Sequence, residues 1–440
     1  MQAGKPDQEI LLYWPVYDVW NNSKGLDMAL KVHDVDDWLH PSAFYQLAKK
    51  LAKEGYSFDF ASDRLLQQTK VVDHRLATAA NGNPYQVLVV PKCGMMKPET
   101  VAQLIKMAKA GASIIFQDIP TDVPGLAEVP ARQKLLKSLF NQLKFKTVSE
   151  GVDQCAIGTG TILLAKDVEK ALAILKLKRE ELTDRGLQFI RRKVGAETYY
   201  YLVNHTAKAI DEFVPLNVDG NVLILDPQTG ATGLAATAKG QTRIQLKSGQ
   251  AWFLKITKAK LSQFKPWFYF TKQQESLTLD QAWSLHFTAG GPSLPADQPS
   301  VKLGSWTALA DPKLQSFSGT GVYTATFNLQ TKSAKEYLLQ LNQVDESARV
   351  WINGQEVGVL WSIPFEIRIG KYLKAGKNTI KVEVVNLMAN RIRDLDLQKI
   401  PWRNYHEINF VNIDYQPFDA SSWKVVSSGL IGPVVITGFN

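Results

Sequence analysis

The feature that most limits what this chain can fold into is a single change of hydrophobic period, close to residue 185. Before it, short apolar runs alternate with helix-period segments. After it, only strand-period segments recur. Residues 10–14 form a continuous apolar run, and residues 41–54 place Phe44, Leu47, Ala48 and Leu51 on one helical face before Gly55. Residues 56–60, 87–90, 113–116 and 161–165 read as further strands, and residues 98–110, 134–143 and 167–182 as helices. Proline opens the 98–110 helix and Gly111 follows it, the usual polarity of helix punctuation. Strands alternating with helices predict a doubly wound parallel sheet.

From residue 186 the strands are short and separated by Gly, Asn or Pro turns: 188–192, 198–204, 222–226, 243–246 and 251–256. That spacing predicts a small β-sandwich. Residues 267–270 read as a strand, and a Gly-, Pro- and Ser-rich connection follows at 289–300. Then come strands at 321–329, 336–341, 348–352, 365–369, 378–385 and 434–437, with an Asn353-Gly354 hairpin turn among them. A jelly-roll-like sandwich fits this last part. The expected division is an α/β domain over 1–183, a small β-sandwich over 184–260 and a jelly-roll domain over 261–440. The residues show no internal repeat.

Of 440 residues, 45% are hydrophobic, which supplies several cores and excludes a disordered chain. No apolar run approaches the ~20 residues of a membrane-spanning helix. The opening MQAGKPDQEI carries no apolar signal-peptide core. The net charge is +9, but its densest stretch, Lys176, Lys178 and Arg179 with Arg185 and Arg191–Lys193, is interleaved with Glu180, Glu181 and Asp184. Dispersed charge reads as a solvated surface, so no nucleic-acid partner is expected. Two cysteines, Cys93 and Cys155, exclude a disulfide framework and a four-thiolate zinc site, and leave a single bridge open.

Catalytic signatures are absent. No HExxH, GxSxG, P-loop or GxGxxG occurs, and none of the six histidines makes a helical i, i+4 metal pair with another. Cys93 sits in a strand-to-helix turn, Val89-Val90-Pro91-Lys92-Cys93-Gly94, where a nucleophile could stand. The turn lacks the small residues around such a nucleophile, and a buried thiol is the better reading. Asp34, Asp36 and Asp37 cluster on a polar loop and read as solvated. Asp345-Glu346 does not form a recognisable glycosidase pair either.

Aromatic residues are more informative. Trp14, Tyr17 and Trp20 surround Asp18 directly after the first strand, where ligands of open α/β sheets bind. Indole beside a carboxylate suits a sugar ring, whose C–H face packs on the ring while its hydroxyls are hydrogen-bonded. Burial of the same residues against a neighbour is the equal alternative. Later, Trp351 reads as core between Val350 and Ile352. Trp361, Trp402 and Trp423 fall in loops near Arg391, Arg393, Asp394 and Arg403, as either a loop-end carbohydrate site or a packing network. Calcium held by carbonyls with Asp394 or Asp414 is a weaker expectation. The sequons at Asn21-Asn22-Ser23 and Asn204-His205-Thr206 are at chance level.

Several segments resemble a known family. ILLYWPVYDVW, GYSFDFASDRLL and YQVLVVPKCGMMKPETVAQL are similar to the amidotransferase-like, flavodoxin-like α/β domain of large bacterial α-L-rhamnosidases of glycoside hydrolase family 106. LQFIRRKVGAETYYYLVNHT resembles the strand pair that follows it. LGSWTALADPKLQSFSGTGVYTATF, VWINGQEVGVLWSIPFEIRI, LKAGKNTIKVEVVNLMANRIRDLD and SGLIGPV resemble the terminal galactose-binding-like domain, akin to the sugar-binding domain of family 2 glycosidases. The family's Asn-Arg-x-x-Asp loop is matched at Asn390, Arg391 and Asp394, with Arg393 where the family has Gly.

The resemblance implies that the catalytic carboxylates lie on an upstream (β/α)8 barrel, which takes about 250 residues of its own. No catalytic residue is therefore carried over. The implied role is a non-catalytic, carbohydrate-contacting region of an inverting hydrolase acting on plant or pectic rhamnose-containing glycans. Its partners would be the glycan and the barrel, and the parent protein would be periplasmic or secreted. The carbohydrate-contacting candidates are Trp14, Asp18, Trp20, Trp361, Arg391 and Trp402. A free-standing carbohydrate-binding protein is the alternative, and an amidotransferase-like enzyme using Cys93 is a third reading.

Overall fold

The structure is a computed structural model that describes residues 2–21, 31–78, 84–404 and 416–440. It divides into two compact units. One comprises residues 1–225, 232–246 and 251–267, and the other residues 226–231, 247–250 and 268–440. Across the described residues the chain is mostly β-sheet with few helices.

The first unit opens with an α/β layer built on strands β1 (Ile10–Tyr13), β2 (Phe58–Ala61), β3 (Val87–Val90), β4 (Ser113–Phe116), β5 (Lys146–Ser149), β6 (Val152–Ile157) and β7 (Gly160–Leu164). They form one sheet in the order β2-β1-β3-β4-β7-β6-β5. The pairs β1–β2, β1–β3, β3–β4 and β4–β7 are parallel, and β7–β6 and β6–β5 antiparallel. The expectation of a wholly parallel, doubly wound sheet of flavodoxin or amidotransferase type is therefore corrected to a mixed sheet. The cause is local. Gly158, at a φ of 60°, lets β6 fold straight back into β7, and so short a turn joins antiparallel strands only.

β1, β3 and β4 are apolar on both faces because both are covered. Leu11, Tyr13, Leu88, Val90, Ile114 and Phe116 pack in one core, and Ile10, Leu12, Val87, Val89 and Ile115 in another. Helix α1 (Ala43–Lys53) serves the second core through Phe44, Leu47, Ala48 and Leu51, and its first turn is capped by Ser42, which accepts from the Tyr45 N–H at 3.1 Å. Helices α2 (Pro98–Lys109) and α3 (Val129–Asn141) serve the first core. The closing helix is shorter than expected: α4 spans only Val168–Ile174. Lys176 enters the left-handed region at a φ of 54°, which ends the helix, and Leu177 and Leu182 are buried without it.

The rest of the first unit is antiparallel. Leu187–Val194, Glu197–Asn204, Ala251–Thr257 and Asn221–Leu225 form consecutive strands of a six-stranded sheet, and Ile210–Pro215, Gln241–Leu246 and Thr237–Ala238 form a smaller one. Lys5–Pro6 pairs with Leu187–Val194, so the start of the chain is tied to this part.

The second unit has a six-stranded sheet with Ser318–Leu329 and Gly376–Val385 at its centre, and a four-stranded sheet with Val435–Phe439 and Glu336–Gln340 at its centre. One core is shared by Trp283, Phe287, Trp306, Phe317, Tyr323, Val382 and Ile436. Asn353 and Gly354 take φ values of 51° and 79°, the double left-handed geometry that a two-residue hairpin turn needs. Two expectations fail here. Residues 267–270 form no strand; Trp267 instead packs edge-on against Trp252 at 5.2 Å, within the first unit. Trp351 is not core. Alternation buries Val350 and Ile352 and turns Trp351 to the other face, where the Lys381 ammonium sits 3.5 Å from its ring centroid.

Candidate carbohydrate-contacting cleft

The chain leaves β1 for β2 on one side, while β3 and β4 continue on the other. The loops after β1 and β3 therefore part between those two strands, and a crevice opens beyond their carboxyl ends. Trp14, Pro15, Asp18 and Val19 come from the segment after β1, which includes a short helical turn, and Lys92–Gly94 from the loop after β3. Together with Asp37, Trp38 and residues 41–44 they line a cleft of ≈ 320 Å³.

Its apolar wall is aromatic. The Trp14 ring meets Phe44 edge-on at 4.5 Å and Trp38 at 6.4 Å, with Pro15 and Pro41 alongside. The Trp38 indole N–H donates to the Lys31 carbonyl at 2.9 Å, which fixes the ring. Asp37, Ser42 and Lys92 supply polar groups. Such a wall can take the C–H face of a pyranose while the polar groups meet its hydroxyls.

Asp18 has a definite task in this geometry. Its Oδ2 accepts from the Gly94 N–H at 2.7 Å and its Oδ1 from the Met95 N–H at 2.8 Å. The carboxylate thus clasps one loop to the other across the crevice. Behind it, the Tyr13 hydroxyl donates to Asp63 at 3.2 Å, and the Thr100 hydroxyl donates to the same carboxylate at 2.5 Å. Burial, then the Asp63 charge, pushes the Tyr13 hydroxyl far above its ordinary value. Cys93 is only 4% exposed, and burial, reinforced by Asp18, Asp63 and Asp118, likewise pushes its thiol far up. A buried thiol with its pKa raised fits a packed core side chain better than an activated nucleophile, and nothing among the described residues of the cleft supports amidotransferase-like chemistry at Cys93. Cys155 is also free, which removes the single disulfide left open by the sequence.

Trp20 is not part of the cleft wall. It is 58% exposed and packs edge-on against Tyr17 at 5.7 Å. Lys97 lies 5.1 Å from the Tyr17 ring centroid, and its hydrogen bond to the Tyr17 hydroxyl raises the ammonium above its ordinary value. Sequence reasoning missed Trp38 and took Phe44 for core alone. The only available signal was Trp38 directly after the acidic run, three residues before Pro41.

The candidates in the second unit behave differently. Arg391 pairs with Asp394 at 2.8 Å, and Gln398 donates to the other Asp394 oxygen at 2.8 Å. The Trp402 N–H donates to Asp396 at 2.7 Å, and the Arg403 guanidinium lies over Trp402 at 5.3 Å and Phe418 at 5.7 Å. Arg393 donates to the Trp423 carbonyl at 2.7 Å. Asn390, the first residue of the Asn-Arg-x-x-Asp pattern and 2% exposed, donates to the Val426 carbonyl and accepts from the Val426 N–H, both at 2.7 Å. Loop packing therefore occupies these groups. Trp361 stands out at 63% exposure, next to the equally open Ile363. Asp394 has both oxygens engaged, and Asp414 lies outside the described residues. Among the described residues no three His, Cys, Asp or Glu side chains gather to hold a metal ion, and no helix is long and apolar enough to cross a membrane.

Residues 35–236 match the family model of α-L-rhamnosidases. The matched stretch holds the cleft residues from Asp37 to Gly94, while Trp14, Pro15, Asp18 and Val19 precede it. Residues 265–401 match the sugar binding domain of family 2 glycosyl hydrolases. A putative beta-glucuronidase of Formosa agariphila is 33% identical over 156 residues, which are 31% of this chain and 13% of that protein. The structure of a rhamnosidase from Novosphingobium sp. PP1Y has the same fold over 99% of this chain, with a TM-score of 0.70 and 21% identity. The chain spans 39% of that rhamnosidase.

Proposed function

We propose that this chain is the non-catalytic, carbohydrate-contacting region of an α-L-rhamnosidase-like glycoside hydrolase, and that the reacting carboxylates belong to a barrel elsewhere in a longer protein. The observation that carries this reading is the cleft: an aromatic wall of Trp14, Trp38 and Phe44, the latter two inside the rhamnosidase-matching stretch, with the carboxylate of Asp18 spent on holding two loops together. A sugar ring can be packed there. The inverting mechanism needs one carboxylic acid and one carboxylate facing each other across the glycosidic bond with room for a water, whereas Asp18 is engaged in clasping the two loops through two backbone N–H groups.

In this reading residues 1–183 wall the cleft, and the β domains over residues 184–260 and 261–440 brace them. The substrates are rhamnose-containing plant or pectic glycans, and the parent protein works in the periplasm or outside the cell. An aryl α-L-rhamnoside assay of the 440-residue chain, with and without calcium, tests it. No turnover above buffer is expected. Hydrolysis that persists through successive purification steps would overturn the non-catalytic assignment.

A further inference from the structure

A second cleft in the first unit, of ≈ 530 Å³, lies at the opposite end of the strands, by the amino ends of β1 and β3. Five cationic side chains line it, Arg75, Lys176, Lys178, Arg191 and Lys193, against two carboxylates, Asp7 and Glu9. They arrive from four separate places in the chain: the short strand Arg75–Ala77, the turn after α4, the strand Leu187–Val194 and the lead into β1. Four cations of the interleaved basic stretch that reads as dispersed in the sequence, Lys176, Lys178, Arg191 and Lys193, meet here in space.

The floor of the cleft is already neutralised. Buried Arg191 pairs through Nε with Asp7 at 2.8 Å, through Nη1 with Glu180 at 2.5 Å and through Nη2 with Glu9. Lys193 pairs with Asp7 at 3.0 Å. Glu180 is held further by the Tyr200 hydroxyl at 2.7 Å and the Asn217 N–H at 3.2 Å. The acidic groups are therefore consumed below the rim. Arg75, Lys176 and Lys178 are exposed, and none of them has an ion-pair partner among the described residues. Lys176 stands at the point where the backbone turns left-handed, so two rim ammonium groups leave one tight turn. Like charges crowded on a concave rim repel one another, and an anion relieves that repulsion.

We propose that this cleft binds an acidic oligosaccharide, a glycan bearing carboxylate groups, with Arg75, Lys176 and Lys178 meeting the anionic groups. The amide side chains of Gln86 and Asn217 line the same cleft and suit hydroxyl groups, as donors and acceptors at once. Among the described residues no aromatic side chain lines it, so they offer no platform on which a nucleobase could stack. The assignment is separate from the rhamnosidase reading. It concerns a different cleft and a different chemical group, and either can fail alone.

The test is calorimetric titration of the full chain with a galacturonate trisaccharide at low ionic strength, beside its carboxyl-reduced neutral counterpart and a short single-stranded RNA. The wild type should bind the acidic trisaccharide, and the neutral sugar at least tenfold more weakly. Lys176→Gln with Lys178→Gln should weaken the acidic trisaccharide roughly tenfold, the sum expected from two exposed charge contacts. These side chains are exposed, so the variant should keep the wild-type melting temperature. A charge-matched control, Lys134→Gln with Lys137→Gln on exposed positions of α3, should leave binding unchanged. An equal loss in the control would overturn the site, because net charge alone would then explain it. Absence of binding, or RNA binding as tight as the acidic trisaccharide and lost in the same rim variant, would also overturn the proposal.

Discussion

The aromatic cleft of the first unit and the aromatic loop network of the second use the same residue types to opposite ends. Both combine indole rings, carboxylates and cations. In the first, the rings Trp14, Trp38 and Phe44 wall an open volume, and one carboxylate holds its mouth in shape. In the second, Trp402, Phe418 and Trp423 pack on one another and on Arg403, and their polar partners are bonded within the loops. What separates a place for a ligand from a clamp is therefore the fate of the polar groups. Where carboxylates and guanidinium groups have found internal partners, little remains to recognise anything else.

If the second region is a clamp, its removal should cost stability. Asn390→Ala leaves a backbone N–H and carbonyl at Val426 without their partner, and should lower unfolding stability by about 2–3 kcal/mol. Urea denaturation of the full chain reads this out, and glycan binding by the first unit should not change. Asp18→Ala unclasps the two loops of the cleft and should destabilise the chain by about 1–2 kcal/mol, since hydrogen bonds to a charged acceptor are lost but the freed N–H groups can partly reach water. It should also weaken sugar binding. An unchanged affinity would mean that the loop geometry does not matter to the cleft.

The contrast between the two regions was only partly legible in the sequence. Ile10–Tyr13 and Val87–Val90 announce themselves as strands apolar on both faces, and the Trp14 and Asp18 candidates follow from where such strands end. Trp38 does not, because nothing in a linear reading brings residue 38 back against residue 14. Asp18 was read as a sugar contact because the N–H groups it serves are 76 and 77 positions away. The same blindness affected the basic stretch after residue 175. One of its acids, Glu180, pairs with Arg191 beneath the rim, and Arg191 also reaches Glu9, 182 positions distant. Trp351 failed for a simpler reason: two apolar neighbours on alternate positions place the residue between them on the other face.

Two smaller effects sharpen the comparison. Trp402→Phe keeps the ring and removes the N–H to Asp396, and should cost about 1 kcal/mol in the same denaturation experiment. Trp361→Ala should stay within about 0.5 kcal/mol of wild type, because an open side chain without internal partners holds nothing in place. A large loss at Trp361 would show that it packs in the folded state and would blur the distinction.

The central claim, that the cleft walled by Trp14 is where this chain meets a sugar, is tested most directly by intrinsic tryptophan fluorescence during an L-rhamnose titration of wild type, Trp14→Phe and Trp361→Phe. The account predicts a saturable change that is lost in Trp14→Phe and kept in Trp361→Phe. A response kept in Trp14→Phe and lost in Trp361→Phe would contradict it and move the sugar contact to the second unit.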